Sequence, residues 1–302
     1  MKVLKYIAVA LLFLAAIISC KNDDDGANTV QLRDRAEEAV AAQDEIERFL
    51  ETHFYNYESF ENPPEGFNYQ IVFDTIAGEN IDKVPLIEQV ESKTVQDRLE
   101  EGVEYTLYYL KARQGGGESP NFPDIVLNSY SGQRIDEDNS LQLFDESVIP
   151  IRFDLTGVVN GYQDGIIEFQ GAESFTENQD GSITFNNYGV GAVFVPSGLG
   201  YFGSAQLGIP TYSQLIFTFQ LYTVQEGDQD RDNVPSIIED LNNNDIEEDD
   251  DTDNDGRPNF VDDDDDGDGI PTENEIIVEA DGSITFPDSD NDGTPNYLDS
   301  DS

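Results

Sequence analysis

The 302-residue sequence has no tryptophan, one cysteine, one histidine and one methionine. With Cys20 alone, no intramolecular disulfide can form. With His53 alone, any Ser-His-Asp or Cys-His catalysis would have to run through that residue. Cations are scarce as well: 15 Lys and Arg face 64 Asp and Glu, a formal charge of −49. Phosphate binding draws its affinity from clustered cations, so this balance excludes ordinary association with DNA, RNA or an anionic lipid surface. The apolar run Ile7 to Ile18 spans only 12 residues, too short to cross a bilayer as a helix.

That run follows two lysines and leads into Ile17-Ile18-Ser19-Cys20, so residues 1–19 read as a signal peptide. The last four residues resemble the bacterial lipobox, in which the cysteine is acylated; a plain secretory signal containing a cysteine is the alternative. Residues 20–30 form an acidic tether. Its Lys21-Asn22-Asp23-Asp24-Asp25 resembles the signal that carries some lipoproteins to the outer face of the outer membrane. The expected location is the bacterial outer membrane, lipid-anchored at Cys20, on the cell surface or the periplasmic face. Membrane contact would be through that lipid only.

Charge divides the remainder of the chain. From Gly227 to Ser302 there are 28 acids against 2 bases, while most of the apolar material lies earlier. Residues 31–100 read as an N-terminal extension. Ala39, Ala42, Ile46, Phe49 and His53 share one face of a helix within Gln31–His53, with His53 packed or solvent-tipped at the end of the stripe. Phe67 to Phe73 alternates like a strand. Within 101–226, Val103–Leu110, Ile125–Tyr130, Pro150–Leu155, Ala192–Val195 and Gln214–Val224 read as strands of one curved antiparallel sheet. Gly115-Gly116-Gly117 is expected to be a hairpin turn, and Asn178-Gln179-Asp180-Gly181 an enlarged turn.

Asp124 to Gly132, Phe144-Asp145-Glu146-Ser147, Phe153-Asp154-Leu155, Val158 to Gly165, Val195 to Tyr201, Ile209-Pro210 and Leu215-Ile216-Phe217 occur in order over roughly 100 residues. Together they resemble the successive blocks of FKBP-type peptidyl-prolyl isomerases. The resemblance implies an α+β fold, a half-wrapped antiparallel sheet around a short helix that starts near Gly161 and runs past Ile167. It also implies an apolar pocket of Tyr130, Phe144, Asp145, Phe153, Val158, Val159, Tyr162, Tyr201, Ile209 and Phe217. Tyr201 would donate to the substrate carbonyl, and Asp145 would orient a polar group of substrate or protein. The partners would be proline-containing protein segments, with no cofactor for the reaction. Tyr162 stands where the family usually has Trp, and the segment from Tyr201 to Ile209 is about one residue short.

The acidic residues 227–302 repeat a twelve-residue pattern. Positions 1, 3, 5 and 12 are Asp228, Asp230, Asp232 and Glu239; Asp251, Asp253, Asp255 and Asp262; Asp264, Asp266, Asp268 and Glu275; Asp288, Asp290, Asp292 and Asp299. Calcium takes six to eight oxygen ligands, and this spacing supplies them from one loop. Position 6 is Asn233, Gly256, Gly269 or Gly293, residues that tolerate a left-handed backbone. The starts at 228, 251, 264 and 288 leave no room for paired helices, and Pro235, Pro258, Pro271 and Pro295 at position 8 oppose an exiting helix. The alternating intervals resemble thrombospondin type 3 repeats. In the third loop, a register from Asp262 with Asp264, Asp266, Gly267 and Glu273 also fits. A solvated disordered tail is the alternative to calcium. Two functions are consistent with these features: a lipid-anchored prolyl isomerase or chaperone with a calcium-ordered appendage, or a non-catalytic, calcium-stiffened adhesion or scaffold lipoprotein using the same domain for binding.

Overall fold

The computed structural model describes residues 31–302; the signal peptide, Cys20 and the acidic tether lie outside the described residues. Asp34–Ser302 form one compact unit. Its centre is a six-stranded, wholly antiparallel sheet: β3 (Glu91–Gln96), β4 (Glu104–Arg113), β9 (Gly189–Val195), β10 (Leu215–Gln225), β5 (Ile125–Ile135) and β6 (Leu141–Asp154), in that spatial order. Among the described residues no helix is long and apolar enough to cross a membrane.

Helices cover both faces of this sheet. α1 (Arg35–Thr52) buries Ala42, Ile46, Phe49 and Leu50, the i, i+4, i+7, i+8 stripe of a surface helix. Asp34 caps it by accepting from the Glu37 amide at 3.0 Å. The short α2 (Tyr57–Glu61) adds Tyr57 and Phe60 to the edge of the same apolar cluster. The opposite face carries α3 (Asn160–Ile166). Every residue of β9 is therefore buried. Ala192 and Phe194 pack with α1, while Val193 and Val195 join the cluster containing Tyr162 and Ile166 of α3. A strand covered on both sides is apolar throughout, which explains the run Gly189 to Val195.

Helix and strand meet where glycine allows it. A Cβ on Gly165 would stand 2.1 Å from Val193 Cγ1, and one on Gly161 2.5 Å from Val195 Cγ1. Gly165→Val should therefore cost roughly 1–3 kcal/mol through overpacking. Gly157→Ala, with nothing within 4 Å, should change stability by no more than about 0.5 kcal/mol. Paired thermal melts check the contrast.

Several elements depart from the sequence expectation. The strand expected over Phe67–Phe73 is only β2 (Phe73–Thr75), paired with β1 (His53–Tyr55), because Tyr69 takes a positive φ of 54° that no strand accommodates. β3 comes from the segment assigned to the extension, so the sheet begins before residue 101. The triple glycine is not a hairpin turn. β4 neighbours β3 and β9, so the chain must cross over to reach β5. The Gly116 and Gly117 amides donate to Gly171 O at 3.2 and 3.1 Å. A Cβ on Gly115 would lie 2.1 Å from Gln170 O, and its φ of 95° also favours glycine, so close backbone approach and a left-handed backbone both exclude a side chain. The polar stretch after Gln170 folds as a hairpin, β7 (Ser174–Glu177) with β8 (Ile183–Asn186), and Phe185 stacks on Tyr222 at 4.8 Å. α3 ends at Ile166 and does not run past Ile167.

The acidic tail packs against the sheet domain. Gly227 N donates to Asp124 Oδ1 at 3.0 Å, and Gln163 Nε2 of α3 donates to the buried Glu247 at 3.1 Å. Apart from the two-residue strands β11 (Ile277–Val278) and β12 (Ile284–Thr285), which form a hairpin, the tail consists of turns and short 3-10 helices.

Candidate functional site

Two constellations are candidate sites. The first lies on the face of the sheet that carries α3. Tyr162 at its base is 2% exposed, and Ile209 and Phe217 are buried beside it. Tyr130, Phe144, Phe153, Val158, Val159 and Tyr201 are half-buried and pack on the same cluster. Tyr162 meets Phe217 edge-on at 5.2 Å and Phe153 at 5.9 Å; Phe144 meets Phe217 at 5.7 Å, and Tyr130 lies 5.0 Å from Phe153. Such edge-to-face contacts fix ring orientation. Gly132 lets Phe144 cross the sheet, since a Cβ there would fall 2.6 Å from its ring.

Asp145, the one polar member of the expected set, is exposed and accepts from the Tyr130 hydroxyl at 2.5 Å. Burial, reinforced by that carboxylate, pushes the Tyr130 hydroxyl well above the usual tyrosine range. The rim from Tyr201 to Ile209 closes with reciprocal backbone bonds between Gln206 and Ile209, 2.9 and 3.0 Å. Leu207 at its tip is 99% exposed.

Sequence patterning missed one member. Asn128, fully buried on β5, donates to the Tyr162 hydroxyl at 2.6 Å. Tyr162 thus has its polar end satisfied inside the protein. The available signal was the alternation Val126, Asn128, Tyr130, which sets a polar residue on the inward face of an apolar strand.

His53 lies elsewhere. It stacks on Phe49 at 4.0 Å, and its Nδ1 faces Phe49 O and Thr52 Oγ1 at 3.1 Å each. Burial lowers its pKa. It packs at the end of α1, as the helix stripe implied, and its Nε2 faces the Thr75 hydroxyl at 3.4 Å.

The second constellation is the tail, where four loops share one conformation. The amide of position 9 donates to the carbonyl preceding position 1 in each: Ser236 to Gly227 at 2.9 Å, Asn259 to Asp250 at 2.8 Å, Thr272 to Asp263 at 3.0 Å and Asn296 to Pro287 at 2.8 Å. This repeated bond selects the Asp264 register for the third loop. Asn233, Gly256, Gly269 and Gly293 at position 6 all have positive φ, from 75° to 104°. Pro258, Pro271 and Pro295 precede short 3-10 turns at Asn259–Val261, Thr272–Asn274 and Asn296–Leu298, not α-helices.

The acids gather less uniformly than their spacing implies. Asp251, Asp253 and Asp255 form one close group; Asp264, Asp266 and Asp268 a second; Asp288, Asp290 and Asp292 a third. Asp262, Glu275 and Asp299 are not members of these groups. Asp262 instead pairs with Arg257 at 2.9 Å. In the first loop Asp230, Asp232 and Glu239 converge with Asp265 of the third loop, while Asp228 stays outside. Asp265 gave no spacing signal because it sits inside the continuous acidic run Asp262–Asp266. Burial, aided by neighbouring carboxylates, pushes Glu239 up to about 10, Asp265 to about 9, Asp230 to about 7 and Asp232 to about 6. The convergent oxygens are all carboxylates, a donor set suited to a hard divalent cation.

Comparison with known proteins divides along the same line. A family model described as BamM C-terminal matches residues 229–287, within the tail. This, and not a model of thrombospondin type 3 repeats, is the match over that region. No curated protein matches the chain. Among solved structures, a peptidyl-prolyl cis-trans isomerase from Pseudomonas syringae pv. tomato DC3000 is 16% identical, with a TM-score of 0.34 over 62% of this chain and 96% of that one. FkpA from Escherichia coli is 21% identical, with a TM-score of 0.35 over 63% of this chain and 62% of its own length. At these scores neither likeness carries a conclusion of its own.

Proposed function

We propose that the chain is a lipid-anchored outer-membrane peptidyl-prolyl isomerase or chaperone acting on proline-containing segments of envelope or exported proteins, with a tail that binds calcium. The packing of nine aromatic and aliphatic side chains into one cluster around Tyr162 supports it best. Rotation about an Xaa-Pro amide is slow because resonance holds it planar, with a barrier of about 18–20 kcal/mol. The twisted transition state loses that resonance and its charge separation. A dry pocket of rings therefore favours it over the planar ground state, which is differential binding through desolvation. No bond is broken and no cofactor enters. The rings of Phe144, Phe153 and Phe217 would enclose the proline, Tyr201 would donate to the substrate carbonyl, and the Asp145–Tyr130 pair would hold the rim.

The anchor rests on the signal sequence and lipobox at Cys20, and the outer-membrane location on these together with the BamM C-terminal match. A second reading, a non-catalytic binding module on a calcium-stiffened scaffold, is favoured by Tyr162 in place of Trp and by the tail docked on α3 through Glu247.

A proline-isomerisation assay on a model peptide separates the two. The expected result is acceleration over the uncatalysed rate, with kcat/KM falling roughly 10- to 100-fold in Phe153→Ala, about 1.4–2.7 kcal/mol of transition-state stabilisation. Tyr201→Phe should lower it by less. Absence of acceleration by the unsubstituted chain at any concentration would assign the domain to binding.

A further inference from the structure

The first acidic loop does not complete its own site. Asp230, Asp232 and Glu239 bring one oxygen each within 4.8 Å of one another, and the fourth member of the group is Asp265, from the third loop. Glu239 is 1% exposed and Asp265 2% exposed, and neither has a hydrogen-bond partner on either carboxylate oxygen. Oδ2 of Asp230 and of Asp232 is also buried without a partner. Among the described residues, none of the four joins a salt bridge. Backbone amides reach only the other oxygens, Asp232 N on Asp230 Oδ1 at 3.4 Å and Val234 N on Asp232 Oδ1 at 2.7 Å, so the unpartnered oxygens of four converging carboxylates are left as ligands for a cation.

The surroundings make the site unlike its neighbours. Val234 is fully buried, and with Ile276 and Tyr297 it forms a small apolar cluster. The charges of Asp265, Glu239 and Asp232 act on the Tyr297 hydroxyl, which places that ring beside the carboxylates. The other groups each keep an exposed member: Asp255, Asp268, and both Asp290 and Asp292. Each also draws its three acids from a single loop.

We propose that Asp230, Asp232, Glu239 and Asp265 form one buried calcium cage that clamps the first loop to the third, and that this cage holds its ion more tightly than the three local loops. The proposal rests on the calcium-binding reading of the tail and adds to it a ligand, a topology and an order of affinity. Affinity in oxygen-donor sites follows ligand charge and rigidity, and both are greatest here. A dry, all-carboxylate site also suits calcium better than magnesium, which gives up its waters reluctantly.

Calcium titration of the full chain by calorimetry, after chelation and dialysis, tests it. The unsubstituted protein should show one tight class of a single ion and a weaker class. Asp265→Asn should weaken the tight class at least tenfold. Glu239→Gln should do the same, and the double variant should lose no further ion, because both residues serve one site. Asp290→Asn should change only the weak class. Calcium uptake whose tight class survives both Asp265→Asn and Glu239→Gln would overturn the cage and leave the calcium reading standing. No uptake at millimolar calcium would overturn both. Far-UV circular dichroism of each variant in excess calcium checks that the sheet domain is folded. Should Asp265→Asn fail this check, Glu239→Gln decides the tight class by itself.

Discussion

Asp97→Ala should lower the stability of the chain by on the order of 3–5 kcal/mol, measured as the shift in urea midpoint multiplied by the slope. The Asp97 side chain is fully buried and pairs with Arg35 Nε at 2.5 Å. It also accepts from the Tyr105 hydroxyl at 2.6 Å and from the amides of Leu99 and Glu100 at 2.8 and 2.9 Å. Removing it strands a guanidinium, a phenol and two amides at once. The loss falls on a junction, for Arg35 opens α1, Asp97 directly succeeds β3 and Tyr105 lies in β4. Arg35 also donates to Gly198 O at 2.9 Å, binding the helix to the turn that follows β9.

The same carboxylate predicts a pH dependence. Burial opposes its ionisation, but the donors from Tyr105, Leu99 and Arg35 outweigh burial and hold its pKa below the ordinary value. A depressed pKa in the folded state adds stability above the unfolded value of about 3.9, lost as pH falls through the folded value. The gap in stability between the unsubstituted chain and Asp97→Ala should therefore narrow below pH 4. A gap that is constant from pH 7 to pH 3 would show that the ionised form is not what matters.

Tyr162→Ala should have a comparable effect, about 3–5 kcal/mol, because it empties the middle of the aromatic cluster. The more informative series concerns the hydroxyl. Tyr162→Phe leaves Asn128, which is fully buried, facing a ring edge without a partner, and should cost about 1–3 kcal/mol. Asn128→Leu alone strands the hydroxyl instead. The double variant Tyr162→Phe/Asn128→Leu removes both polar groups and should recover most of the loss, a coupling that urea unfolding of the four proteins measures. Equal, additive losses would mean that the 2.6 Å contact contributes nothing to stability.

Periodicity made much of the architecture legible. The stripe Ala42, Ile46, Phe49 and the strands around Leu107, Val126, Phe153, Val193 and Phe217 occur where local pattern places them, because each buries one face or both. What pattern did not show was adjacency. β3 is short and half polar, so its membership of the sheet depends on pairing with β4. The role of the triple glycine depended on β4 and β5 being separated by β9 and β10.

The tail divides in the same way. Spacing alone determined the loop conformation, because Asx-type bonds two residues apart and a left-handed position 6 are local: Val234 N on Asp232 at 2.7 Å recurs as Arg257 N on Asp255 at 2.8 Å, Ile270 N on Asp268 at 2.6 Å and Thr294 N on Asp292 at 2.7 Å. Which carboxylates meet was decided by tertiary structure. Asp265 and Glu239 are separated by 25 intervening residues, and no local rule distinguishes Asp265 from the acids on either side of it. The sequence by itself therefore determined a strongly acidic, repeated loop and an apolar inward face. Only the folded chain set Asn128 beneath Tyr162 and Asp265 opposite Glu239, because burial of a polar group depends on what packs around it.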